Sequence, residues 1–148
     1  MKKTVENLMT SDFIKACEDE LIYEVVSRVA AIKSSLLVCV VDKTGKITGV
    51  VTPREILKAV EICGYEGVKK PLFSEREVAH IMTSRYVKDI MSEPEFVKSG
   101  DDVQKAIDIM IDRRFYEVPV VDEALNPVGL INYFAVISNA DWRCEAGQ

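Results

Sequence analysis

Histidine and tryptophan occur once each in this chain of 148 residues, and its four cysteines include no C-x-x-C pair. A zinc site would have to draw four nitrogen, sulfur or carboxylate ligands from distant segments, so nothing in the sequence points to a bound metal. Cys39 lies inside the apolar run Leu36–Val41 and reads as a small buried hydrophobe, and His80 reads as a partly exposed helix residue. No nucleophile–base pairing and no phosphate loop stands out, so no catalytic residue is assigned and the chain is not read as an enzyme. Long apolar runs are missing as well. Leu36–Val41 falls far short of the roughly 20 residues of a membrane span, and the opening Met1-Lys2-Lys3-Thr4-Val5-Glu6-Asn7 has no apolar core of a signal peptide. Clustered positive charge is also scarce. Lys and Arg number 19 against 24 Asp and Glu, for a net charge of −5, and the pairs Lys69-Lys70 and Arg113-Arg114 read as solvated surface. That balance argues against nucleic acid or an anionic membrane as partner. A cytoplasmic location is expected.

What is present is a globular composition, 48% hydrophobic and 29% charged. The length suits one compact domain or two half-size ones. Self-similarity favours the second. Val5-Glu6-Asn7-Leu8-Met9-Thr10 recurs as Val87-Lys88-Asp89-Ile90-Met91-Ser92, and Phe13-Ile14-Lys15 as Phe96-Val97-Lys98. Val40-Val41-Asp42 then matches Val120-Val121-Asp122, and Gly49-Val50-Val51 matches Gly129-Leu130-Ile131, with two extra residues in the first copy before its strands.

Each copy carries the same pattern of elements. Leu21, Val25 and Val29, with Ile22, Val26 and Ala30, share one helical face. So do Val103, Ala106, Ile107, Met110 and Ile111. Paired apolar strands follow each helix, Leu36–Val41 with Ile47–Val51 and Val118–Val121 with Val128–Ile131. The turn-rich segments between them mark hairpins. A second helix follows each hairpin, so the unit is strand–helix–strand–strand–helix, an α+β arrangement. One copy of about 60 residues is marginal for burying a core, and two pseudo-symmetric copies packed sheet to sheet resolve this. The chain divides into a first repeat over 1–57, a connector over 58–86 and a second repeat with its tail over 87–148. Gly64, Gly67 and Pro71 interrupt the connector, and Ser74-Glu75-Arg76-Glu77 forms a capping box opening a helix through about Met82. The tail carries Trp142, which either packs on the last helix or anchors a dimer contact.

The duplicated pattern resembles a tandem pair of CBS (cystathionine-β-synthase) domains, the Bateman module. The resemblance rests on Val-x-x-Leu/Ile-Met-Thr/Ser opening each copy, on Val118-Pro119-Val120-Val121-Asp122, and on the Gly-apolar-apolar-Thr-x-x-acid that closes the first copy. It runs from about Val5 to Asn139. It implies a regulatory module, here without an attached catalytic domain, that takes an adenosine-containing ligand in the cleft between copies and signals to an effector protein. It also implies a homodimer and no required cofactor.

The family's nucleotide motif falls on Gly49-Val50-Val51-Thr52-Pro53-Arg54-Glu55, with Glu55 where the family usually has Asp. A carboxylate there can accept from two adjacent ribose hydroxyls through short charge-assisted bonds, and free N–H groups at a helix start favour phosphate. Thr52-Pro53-Arg54-Glu55 is equally a good capping box, with Thr at N-cap, Pro at N1 and Glu at N3. Capping alone, or capping with ligand contact, both account for these residues. By the resemblance, Val50 touches the base from the first copy. Phe96 and Val97 flank the base from the second, and Tyr116, Val118 and Pro119 form another wall. Val50 and Val118 are as well explained as core residues, whereas an aromatic such as Tyr116 at a cleft can stack on a base.

The twin motif reads Gly129-Leu130-Ile131-Asn132-Tyr133-Phe134-Ala135. Asn132 still caps a helix, but Ala135 offers a ribose nothing, so one site per chain is expected. Family members that bind phosphorylated nucleotides often carry basic residues at the positions of Leu36 and Phe134. Arg54 or Arg114 would have to substitute, and the resemblance then implies AMP, adenosine or an S-adenosyl compound rather than ATP. The competing expectation is a ligand-free dimerisation and protein-interaction module.

Overall fold

The computed structural model describes residues 3–33, 35–64 and 73–141. Gly67 and Pro71 of the connector, and Trp142 with the tail, lie outside them. Two compact units emerge, one over Phe13–Pro94 and one joining Met1–Asp12 to Glu95–Gln148.

In the first unit β1 (Ile14–Cys17) leads into α2 (Ile22–Ile32), the hairpin β2 (Val38–Val41) and β3 (Ile47–Val51), then α3 (Pro53–Gly64) and α4 (Glu75–Thr83). The sheet order is β1-β2-β3, with β1 parallel to β2 and β2 antiparallel to β3. All four residues of β2, the central strand, are buried. Asp42 closes the hairpin, its Oδ1 accepting the Thr44 N–H at 2.8 Å and the Lys46 N–H at 3.2 Å. The core gathers Ile14, Val38, Val40 and Val51 from the sheet with Val25, Val29, Ile56 and Ile62 from the helices.

The second unit repeats this order. After α1 (Val5–Leu8) come β4 (Val97–Lys98), α5 (Val103–Arg113), the hairpin β5 (Glu117–Val121) and β6 (Pro127–Asn132), and α6 (Tyr133–Asn139). Its sheet order is β4-β5-β6 with the same parallel and antiparallel pairings. The expected strand–helix–strand–strand–helix order is thus present twice, in an α+β fold. Pro119 stands in a central strand without loss. It faces Leu130 across β6, and β4 pairs only with Val120 and Val121, so no ladder bond falls on its missing N–H.

The short segment opening each sequence copy adds to the sheet of the other copy's body. Thr10 and Leu130 exchange both backbone hydrogen bonds, at 2.8 and 2.9 Å, beside β6. Ser92 and Val50 do the same at 2.8 and 3.0 Å beside β3. These bonds occupy edge groups of β3 and β6 that would otherwise stand open.

Some expected details differ. β2 begins at Val38, and Leu36 is about half exposed. Ala30 and Ile111 face solvent because the buried lines of their helices run through Val25 and Val29, and through Val103, Ala106 and Met110. The capping box at Ser74 is present, opening α4. No helix among the described residues is long and apolar enough to cross a membrane.

Candidate functional site

Four of the nine candidate residues, Val50, Thr52, Arg54 and Glu55, stand together where β3 turns into α3. Val50 is buried, and both its backbone groups are taken by Ser92. Thr52 follows the strand, its Oγ1 accepting the Glu55 N–H at 3.3 Å and its carbonyl the Ile56 N–H at 3.1 Å. This is the N-cap read from the sequence, with Pro53 as the first helical residue, where its missing N–H costs nothing. A hydroxyl that accepts one N–H still has its own proton to donate. Arg54 is exposed.

Glu55 lies on the first turn of α3 with its side chain 22% exposed, and its Oε2 sits 3.4 Å from Lys58 Nζ. Lys58 in turn lies 3.4 Å from Glu77 Oε1 on α4. The Ser74 N–H, and with it Lys58, holds the Glu77 carboxyl below the usual carboxylate range. Sequence reading named Glu77 only as the acid of the Ser74 capping box and did not name Lys58. The Glu55-to-Lys58 spacing of one helical turn was available as a signal, whereas Glu77 is brought in only by the packing of α4 on α3.

The other five candidates belong to the second unit. Phe96 is half-buried just before β4, and Val97 is buried opposite Val120. Val118 and Pro119 are buried in β5. Tyr116 stands apart from them, 69% exposed, with its ring edge-on to Tyr133 at 5.2 Å between centroids.

The twin motif keeps the cap and loses the acid. Asn132 Oδ1 accepts the Ala135 N–H at 2.9 Å, the counterpart of Thr52 and Glu55, but Ala135 carries no polar side-chain atom. Phe134 is 80% exposed. Among the described residues, no three of His, Cys, Asp and Glu gather as a metal site would require. Elsewhere in the first unit a groove of about 730 Å³, lined by residues including Ile22, Val26, Ala59, Cys63 and Ile81, holds none of the nine candidates.

Comparison with known proteins gives the family of this fold. The CBS domain family model matches residues 5–62 and again 87–140. No curated protein matches. Among solved structures, CBSX2 in complex with AMP is 19% identical with a TM-score of 0.73, over 91% of this chain and 94% of that one. The CBS domain pair of protein MJ0100, in complex with 5′-methylthioadenosine and S-adenosyl-L-methionine, is 19% identical with a TM-score of 0.70, over 93% and 94%. Protein MJ1004 from Methanocaldococcus jannaschii is 18% identical with a TM-score of 0.68, over 92% of this chain, which spans only 58% of that protein. The two matched stretches take in most of the sequence, and the chain belongs to the CBS domain family as a pair of repeats.

Proposed function

We propose that this CBS pair is a regulatory module that binds one adenosine-containing ligand per chain at the β3–α3 motif and passes its occupancy to a partner protein. The observation that carries this reading is the contrast between the two motifs. Both cap their helix through the same backbone N–H, yet only the first sets a carboxylate on the following turn. The twin closes this cap without an acid, and the carboxylate of Glu55 suits the paired hydroxyls of a ribose. The complexes of CBSX2 with AMP and of the MJ0100 pair with two adenosine derivatives support the ligand class. In this reading Thr52 and Glu55 hold the sugar and Val50 borders the base. Phe96, Val97, Tyr116, Val118 and Pro119 serve the same ligand from the second repeat, and Arg54 serves a phosphate. With Leu36 and Phe134 apolar, AMP or an S-adenosyl compound is favoured over ATP. The module acts as a cytoplasmic homodimer and performs no catalytic step.

A second reading, a ligand-free interaction module, draws on the ion pair that already engages Glu55. Thermal unfolding with AMP, adenosine, S-adenosylmethionine and ATP separates the two. A ligand at 100 times its dissociation constant stabilises by about 2.7 kcal/mol, a shift of several degrees. The sensor reading expects that shift with AMP or S-adenosylmethionine and its loss in Glu55→Ala. Silence across the panel, in protein free of retained nucleotide by mass spectrometry, would establish the interaction module instead.

A further inference from the structure

Lys58 is a covered cation held between two carboxylates on different helices. Its side chain is 11% exposed, its Nζ lies 3.4 Å from both Glu55 Oε2 and Glu77 Oε1, and it sits 5.7 Å from the centroid of the Phe73 ring. An ammonium this far from water depends on its paired charges. Glu77 has a second task. Its Oε2 accepts the Ser74 N–H at 2.9 Å while its own N–H donates to Ser74 Oγ at 3.1 Å, the reciprocal bonds that open α4. One cation therefore connects the first turn of α3 to the cap of α4.

We infer that Lys58 relays the state of Glu55 to α4, an inference that rests on Glu55 being the ribose-binding carboxylate. Ribose hydroxyls and the Lys58 ammonium compete for the same acceptor oxygens. When Glu55 turns to the sugar, Lys58 loses one partner and, covered as it is, closes on the other. Glu77 is then held more firmly, and the first turn of α4 opens less often. The output of the module is accordingly the stability of α4, at a distance from the ligand.

Amide hydrogen exchange on the full chain tests this with and without ligand. Replacing the carboxylate in Glu55→Gln weakens its hold on Lys58 as ligand would. In that variant, with nothing bound, exchange at Val78 and Ala79 should slow roughly two- to fivefold, the scale of one partly exposed ion pair. The slowing should vanish in Glu55→Gln with Lys58→Met, and in Glu55→Gln with Glu77→Gln, which leaves Lys58 in place. Saturating AMP should slow the same amides in the unaltered protein. In Glu77→Gln, AMP should bind by calorimetry without changing them. Unchanged exchange in Glu55→Gln overturns the relay whatever AMP does, and so does AMP binding to the unaltered protein with α4 unmoved. Slowed exchange in Glu55→Gln with no AMP binding supports the link from Glu55 to α4 and overturns the ligand reading.

Discussion

A Cβ placed on Gly129 would stand 2.5 Å from the carbonyl oxygen of Thr10, the atom that accepts the Leu130 N–H. The opening segment of the chain cannot retreat without giving up its bonds to β6, so the glycine is required by close approach. Gly129→Ala should cost about 1–3 kcal/mol, the usual range for overpacking. Gly49 is the equivalent in the other unit, where the nearest atom is the Met91 Sδ, also at 2.5 Å. A flexible thioether can move, though Ser92 O at 3.0 Å limits the relief, so Gly49→Ala should cost less. Gly100→Ala, with nothing within 4 Å, is the neutral control. Urea midpoints at a constant slope measure all three.

Neighbouring apolar residues on α5 should differ sharply. Met110 is among the largest fully buried side chains, whereas Ile111 is exposed. Met110→Ala should lose about 2–5 kcal/mol through the cavity it leaves, and Ile111→Ala should stay within roughly 0.5 kcal/mol. Equal losses in chemical denaturation would mean that the buried line of the helix is misplaced.

Acid should weaken both units through aspartates that fold back on the backbone. Asp89 Oδ2 accepts the Tyr86 N–H at 2.9 Å and the Arg85 N–H at 3.1 Å, and Asp101 Oδ2 accepts the Lys98 N–H at 2.8 Å. These N–H groups, Tyr86 first for Asp89 and Lys98 first for Asp101, hold both carboxyls below the ordinary range. A depressed folded-state pKa contributes stability that is present above the unfolded value, roughly pH 4, and lost as pH falls through the folded value. Unfolding midpoints should therefore decline below about pH 4, and Asp89→Asn should flatten that decline. An identical acid limb in the variant would remove Asp89 from the account.

Tyr116 offers a clean separation of binding from folding. Its exposed ring contributes little beyond its edge contact with Tyr133, worth at most about 0.5–1.5 kcal/mol. Stacking on a base is worth about 1–3 kcal/mol, so Tyr116→Ala should weaken AMP binding roughly fivefold to hundredfold while thermal unfolding moves little. Unchanged calorimetric affinity would take Tyr116 out of the ligand site.

Helix spacing, turn chemistry and the Ser74 capping box were legible in the sequence because each is a local constraint. Apolar positions at i, i+4 and i+7 named Val103, Met110 and their like, and erred at Ala30 and Ile111 because periodicity marks a stripe without marking its edge. The cap at Thr52 was legible for the same local reason, and its structure matches. Two features had no local signature. The pairings of Thr10 with Leu130 and of Ser92 with Val50 use backbone groups that every residue has. Glu77 meets Lys58 only through the packing of two helices, across a stretch of sequence without pattern. The one-turn spacing from Glu55 to Lys58 was visible, but a lone ion pair on a helix seldom carries weight.

The crossing of the two opening segments sets how this chain can be divided. A cut between the repeats, near residue 86, would leave each fragment holding the strap that the other fragment's sheet requires. Reassembly would then be bimolecular, and its stability would depend on fragment concentration in a way the intact chain never experiences. In the covalent chain the connector supplies that concentration internally, an entropic contribution separate from the bonds the straps make to the sheets. By the same logic one repeat alone would be complete only with a second copy of itself, so joining two in one polypeptide turns an association equilibrium into a folding step.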